Sequence, residues 1–318
     1  MTDTMTAVSV TRFGGADALA VAELPRPEPV PTEVLVRVRA AGVNPVDWKT
    51  AEGHGMADVI GDPPFVTGWD VAGVVERVGY GVTRFAPGDR VFGMPHFPRA
   101  AGAYAQYVTA PSRQFARIPE GVSDVDAAAL PLAALTAWQA LVDTANVQAG
   151  QRVLVHAAAG GVGHLAVQLA KARGAYVIGT ASAAKHDFVL GLGADEMIDY
   201  RTADFATAVS GVDVVLDAIG GENVTRSVAT VVRGGQIVSI RGGGDERSRA
   251  AADAAGVRIA TVLVEPDHTG LEGLAALVDA GRLRVEVDRV LPLEDAAAAH
   301  RLGEAGQIRG KIGLSVAG

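Results

Sequence analysis

The stretch "RVLVHAAAGGVGHLAVQLAKARGA", residues 152–175, decides the fold. A short apolar run suited to a buried strand enters a glycine-rich turn, after which apolar residues recur at helical spacing. Read as x-x-G-x-x-G, the spaced glycines are Gly160 and Gly163, with Gly161 and Val162 between them and Ala158 where a first glycine would stand. Gly160 lets the backbone approach a pyrophosphate, and Gly163 lets helix and strand pack closely. The anion then rests on free N–H groups at the helix start. Many α/β proteins contain such a turn, so its neighbours must give it weight.

On the C-terminal side the pattern repeats. The runs "YVIGTA" (176–181), "EMIDY" (196–200), "DVVLDAI" (213–219), "QIVSI" (236–240) and "RIATVLV" (258–264) alternate with helix-length segments such as "AAKHDFVLGLG". Near-continuous apolar runs imply strands covered on both faces, hence a parallel sheet with right-handed crossovers. Residues 126–266 are therefore expected to form a doubly wound nucleotide-binding domain.

Before Asp126 the chain uses different language: β-branched runs such as "EVLVRVRAAGV" and "VAGVVERVGYGV", cut by Gly and Pro, with "FAPGDRV" turning into a strand. That pattern predicts a compact antiparallel domain over 1–125. After Pro266 one helix, "TGLEGLAALVDAGRL", precedes β-like runs at "RVEVDRVLPL" and "KIGLSV". These closing strands read as lacking crossover helices, so 267–318 is assigned back to the first domain.

The chain has 318 residues, 49% hydrophobic and 20% charged, a composition that supports two packed domains. A formal charge of -8 without a basic block argues against nucleic-acid binding. The opening "MTDTMTAVSVTRFGG" lacks the order of a secretory signal, and no apolar run approaches the roughly 20 residues of a membrane helix. A cytoplasmic protein with no membrane partner is expected. No cysteine is present, which removes thiolate ligands, nucleophiles and disulfides together.

The end of the second strand of the nucleotide-binding domain reads Thr180-Ala181-Ser182-Ala183-Ala184-Lys185, with no acid before Asp187. A carboxylate there would bind ribose hydroxyls; a hydroxyl and an ammonium suit a 2′-phosphate. Lys185 is one of only four lysines beside 24 arginines, and Tyr200 closes the third strand where it could flank adenine. NADPH is the expected cofactor.

In the first domain, "AAGVNPVDWKT" (40–50) gathers an amide, a carboxylate, an indole and an amine just past a strand. Such a cluster first suggests a metal or nucleophile site, and the order of motifs argues otherwise. "AAGVNPVDWK", "PFVTGWDVAGVVERVG", "FAPGDRVFG", "GAYAQYV", "LPLAALTAWQAL", the glycine loop, "GADEMIDYR", "DVVLDAIGG" and "GKIGLSV" together resemble the medium-chain dehydrogenase/reductase superfamily over essentially the whole chain, and within it the zinc-free quinone oxidoreductases. The resemblance implies a GroES-like β-rich catalytic domain plus a doubly wound Rossmann domain. Where zinc-dependent members carry their ligands, this chain has Asn44, Trp69 and Leu132. His54 and His96 are isolated, so no metal is expected.

The resemblance also implies roles. Ala158, Gly160, Gly161, Val162 and Gly163 match the pyrophosphate loop; Ser182, Lys185 and Tyr200 match the 2′-phosphate pocket. Thr136 and Asn44 match residues at the nicotinamide and its ribose, while Ile219, Ser239 and Ile240, at strand ends, should line the nicotinamide half. Lys171 reads as a solvated helix position, whereas Lys311 could approach the cofactor. Without a Lewis acid, a quinone or α,β-unsaturated carbonyl is the expected acceptor, because charge delocalises onto an oxygen that modest donors can stabilise. Asn44 and Lys49 are the candidate donors, Trp69 an apolar wall, and Asp47 and Asp70 structural acceptors. Two other readings share these motifs: an enoyl reductase or tailoring enzyme of polyketide metabolism, and a non-catalytic NADPH-binding protein. The apolar sixth strand would be an edge unless paired, so a homodimer is expected.

Overall fold

The computed structural model describes residues 4–317; Met1–Asp3, which open the stretch read for a signal, and Gly318 lie outside the described residues. Its strands are β1 (Thr4–Val10), β2 (Leu19–Pro25), β3 (Glu33–Val43), β4 (Phe65–Val66), β5 (Asp70–Val78), β6 (Arg90–Gly93), β7 (Tyr107–Pro111), β8 (Phe115–Arg117), β9 (Arg152–Val155), β10 (Tyr176–Ala181), β11 (Glu196–Asp199), β12 (Val212–Asp217), β13 (Val231–Ser239), β14 (Arg258–Thr261), β15 (Val287–Pro292) and β16 (Lys311–Ser315). The chain divides into two compact units: Met1–Leu135 with Glu265–Gly281 and Val285–Gly318, and Thr136–Val264 with Arg282–Arg284.

The first unit is built on a seven-stranded sheet in the order β15-β16-β3-β5-β6-β8, with β7 also paired to β3, beside a small β2-β1-β4 sheet. Val34, Val36 and Val38 on β3 pack with Val71 and Val75 on β5 and Leu314 on β16, all buried. Val34, Val36 and Val38 share one face of β3, while Leu35 and residues 40–43 are buried as well, so β3 is covered on both faces over much of its length. Two sequence readings need correction. The closing strands β15 and β16 pair in parallel, and the helix Ala296–Glu304 crosses between them, burying Ala296, Ala299 and His300. Residues 126–135 also belong with this unit, because the helix Asp124–Ala128 seats its small Ala127 and Ala128 on β3 and β5.

The second unit carries six parallel strands in the order β11-β10-β9-β12-β13-β14. Val153, Leu154 and Val155 of β9 are completely buried, so successive side chains on both faces are covered. The strand order reverses between β9 and β12, the switch point beyond whose carboxyl ends an open α/β sheet binds ligands. The strand β14 lies at one edge.

Candidate active site

In the second unit, β9 leads through the turn 156–162 into the helix Gly163–Ala172. A Cβ on Gly163 would lie 2.2 Å from the Ala157 carbonyl oxygen, so only glycine allows this close passage. Ala157 itself has a φ of 51°, a left-handed conformation costly for a residue with a Cβ. It is held there by β10: the Ala157 amide donates to the Thr180 hydroxyl at 3.3 Å, and the Ala158 amide to the Thr180 carbonyl at 3.0 Å. The amides of Gly161 and Val162 have no backbone acceptor among the described residues, at the start of a helix whose dipole favours an anion. These features fit the pyrophosphate of a dinucleotide.

Beneath the loop His156 is buried, 3.2 Å from the Thr180 hydroxyl and 3.1 Å from that of Ser227. Burial pushes its imidazole down to about 4, so it is neutral and acts as a brace. The sequence reading passed over it, although a lone His in an apolar strand end was a visible signal.

Ala181 of β10 pairs with Asp199 of β11. Ser182 and Tyr200 therefore leave adjacent strand ends side by side. Ser182 opens the short turn Ala183–Lys185, and Tyr200 is exposed. The Arg201 guanidinium lies 5.8 Å from the Tyr200 ring centroid, a second cation at this rim that sequence reasoning missed.

Asp217, ending β12, is fully buried. It accepts from Ser239 Oγ at 2.8 Å, from Asn223 Nδ2 at 2.9 Å and from the Ile219 and Gly220 amides at 3.2 and 3.0 Å. The Ser239 hydroxyl is thus turned inward to Asp217 and its carbonyl accepts the Val262 amide at 3.0 Å, while Ile219 is exposed. Thr136 is buried. Beyond Ile240 a cavity of about 500 Å³ is lined by Arg241, Arg247, Glu222, Asp245 and glycine backbone, two charges of each sign. Asp245 is already committed to capping the next helix through Ser248.

In the first unit the "AAGVNPVDWKT" cluster forms a buried polar network at one end of three adjacent strands. Asn44 follows β3 and caps the helix Pro45–Ala51, its amide donating to Asp47 Oδ2 at 2.7 Å. Its Nδ2 donates to Asp70 Oδ2 at 2.8 Å, and its Oδ1 accepts from Lys311 Nζ. Lys311 also donates to the Val43 carbonyl at 3.0 Å and lies 3.4 Å from Asp70. Asp70 Oδ1 accepts the Leu132 amide at 2.7 Å. A Cβ on Gly42 would come within 2.8 Å of Asp70, so glycine makes room for that carboxylate.

Asp47 Oδ2 also accepts the Tyr104 hydroxyl at 2.9 Å, and Tyr104 lies 3.3 Å from His300 Nε2. Since the hydroxyl proton goes to Asp47, Nε2 must donate to Tyr104, which assigns the tautomer. Burial pushes the Asp47 carboxyl up to about 7, against the Asn44 amide and Tyr104 hydroxyl that favour its ionised form. Burial also raises Asp70, opposed first by the Lys311 ammonium, and lowers His300 to about 4.

Two expected roles fail on this geometry. Trp69 is fully buried, its Nε1 donating to the Arg99 carbonyl at 2.7 Å and its ring edge-on to Phe97, so it cannot line an open pocket. Lys311 is 2% exposed and its three N–H groups point to Val43, Asn44 and Asp70, leaving none for a cofactor. Lys49 is half-buried on the helix that Asn44 caps.

The chain is 32% identical over 311 residues to the quinone oxidoreductase of Sus scrofa, an alignment covering 93% of each protein. It belongs to the quinone oxidoreductase family of the medium-chain dehydrogenases/reductases. Members of this family are oxidoreductases, and the chain is a hydride-transferring enzyme that uses a nicotinamide dinucleotide. The solved quinone oxidoreductase from Coxiella burnetii superposes with a TM-score of 0.94 at 37% identity, covering 99% of this chain and 100% of that one. A polyketide synthase protein of Streptomyces orinoci, NorB, is 39% identical over 317 residues, covering 95% of this chain but 14% of NorB.

Family models described as "Alcohol dehydrogenase GroES-like domain" and "Zinc-binding dehydrogenase" match residues 30–120 and 192–314. The zinc of the second description does not fit the residues of this family member. Trp69 and Leu132 offer no ligand atom, and the oxygens of Asn44 and Asp70 already hold the Lys311 cation. Among the described residues no group of three or more His, Asp or Glu side chains could hold a metal. No helix among them is long and apolar enough to cross a membrane.

Proposed function

We propose that this enzyme is an NADPH-dependent, zinc-independent reductase that passes hydride to a quinone or an α,β-unsaturated carbonyl compound. The observation that carries the acceptor class is Asn44: a buried amide held by Lys311 and Asp70, with one N–H to spare, is a modest neutral donor. Such a donor suits an acceptor in which hydride adds to carbon and charge is spread onto a conjugated oxygen. NADPH supplies the hydride from its nicotinamide C4. The chain's residues bind and orient: Gly160–Gly163 and Ala158 cradle the pyrophosphate, while Ser182, Lys185 and Tyr200 take the 2′-phosphate, joined by Arg201 at the same rim. Thr136, Ile219, Ser239 and Ile240 line the nicotinamide half. Asn44 and Lys49 donate to the developing oxyanion, whose proton comes from solvent.

A second reading is favoured by the match to NorB: the acceptor is an enoyl thioester on a carrier. Both readings place the enzyme in the cytoplasm, as a homodimer joined along the exposed edge of β14. The test is NADPH oxidation with a panel of quinones, enones and enoyl thioesters, with sedimentation at micromolar concentration for the dimer. Turnover of a free quinone or enone is expected; thioester-only turnover selects the second reading. Tight NADPH binding with no acceptor reduced overturns both.

A further inference from the structure

Lys311 opens β16, Asn44 follows β3 and Asp70 opens β5, and the registers Ile312↔Val43 and Gly42↔Asp70 bring these three residues to one end of the sheet. All three side chains are more than nine-tenths buried. An ammonium can only donate and a carboxylate can only accept. The carboxamide of Asn44, lying between them, therefore has no choice of flip: oxygen to Lys311, nitrogen to Asp70. Its second Nδ2–H has no acceptor among the described residues.

We propose that the buried Lys311–Asp70 ion pair is a positioning device that locks the Asn44 carboxamide, so that this residue offers a bound ligand an N–H and never its carbonyl oxygen. The ligand atom opposite must be an acceptor, such as a ribose hydroxyl oxygen or a carbonyl oxygen gaining charge. The pair also ties together the three segments that hold Asn44, Asp70 and Leu132, since one Asp70 oxygen takes the Leu132 amide and the other takes Asn44. Lys311 thus acts through Asn44, and it is neither a cofactor ligand nor a proton donor.

Lys311→Met alone leaves a buried unpaired carboxylate and is expected to unfold more easily. The double variant Lys311→Met/Asp70→Asn removes both charges and recovers the fold, yet it inverts the lock. Asn at 70 must keep its oxygen on the Leu132 amide, so its nitrogen turns to Asn44 and demands that residue's oxygen. A merely structural pair predicts that melting temperature and kcat recover together. The positioning role predicts that the melting temperature recovers to within a few degrees while kcat stays at least tenfold down.

The kinetic arm rests on the reductase reading; a second arm does not. The chain has three asparagines, so selective 15N labelling gives three side-chain amide pairs. In the wild type the Asn44 pair is expected to exchange with solvent at least tenfold more slowly than that of exposed Asn146, and to shift in the double variant as its hydrogen-bonded neighbour changes. Recovery of kcat with the fold, or an Asn44 amide signal unmoved by the double variant, overturns the proposal. If the wild type reduces no acceptor, the reductase reading fails while the amide signal still decides the lock.

Discussion

Tyr104 donates a hydrogen bond from its hydroxyl to Asp47 across 2.9 Å in a place where neither side chain reaches solvent. The same carboxylate oxygen takes the Asn44 amide, and the other, Oδ1, has no partner. Burial therefore dominates, and the Asp47 carboxyl stands at about 7 against an ordinary value of 3.8. Between these two values the folded protein keeps a proton that the unfolded chain has released. The stability contributed by the neutral acid is complete below the unfolded value, falls as pH rises through the window, and is lost above about 7. Asp47→Asn keeps an acceptor for Tyr104 and Asn44 but cannot ionise. Denaturant unfolding should show wild type and variant nearly equal near pH 4, with the variant more stable at pH 8 by on the order of 2–4 kcal/mol. A difference independent of pH would contradict a raised Asp47.

Gly68 lies directly under the Tyr104 ring. A Cβ there would approach Tyr104 Cδ1 to 2.3 Å, and the φ of 90° disfavours any L side chain. Gly68→Ala should cost about 2–4 kcal/mol, the sum of backbone strain and an overlap with a ring that has no room to retreat. Because the Tyr104 hydroxyl favours the ionised form of Asp47, displacing the ring should steepen the loss of stability as pH rises in the same variant. A loss below about 0.5 kcal/mol in the denaturant midpoint would mean that the ring moves freely, against the packing described.

The nucleotide-binding unit was legible because parallel strands covered on both faces must be nearly continuous apolar runs, as Val153, Leu154 and Val155 of β9 are. The crossover between β15 and β16 was not. Its helix "AAAAHRLGE" covers the sheet with alanines, and β15 is half-exposed, so neither gives a strong periodic signal. The role of Lys311 was hidden for a different reason. The sequence suggested an amine that could approach the cofactor, and only the pairing of Ile312 with Val43 shows that it turns inward to Asn44. Trp69 illustrates the same limit: alternation at a strand entrance does not say which side closes over, and here Phe97 does. Arg201 was missed although its signal was plain, an Arg following a Tyr at a strand end beside the expected 2′-phosphate pocket.

That pocket yields the last prediction. Ser182 and Tyr200 leave paired strands next to each other, and the cations at this rim are Lys185 and Arg201, with no carboxylate before Asp187 on the first loop. A charge-assisted hydrogen bond to phosphate contributes about 1.5–3 kcal/mol, a factor of roughly 10–150 in affinity. Lys185→Ala should therefore raise the KM for NADPH at least about tenfold while moving that for NADH less than about twofold. Arg201, whose guanidinium lies 5.8 Å from the Tyr200 ring centroid, should show a smaller effect in the same direction, about threefold to tenfold. Raised salt should weaken NADPH binding to the wild type more than to Lys185→Ala, because the variant has less charge to screen. Equal changes for the two cofactors would remove Lys185 from the 2′-phosphate site and, with it, the preference for NADPH.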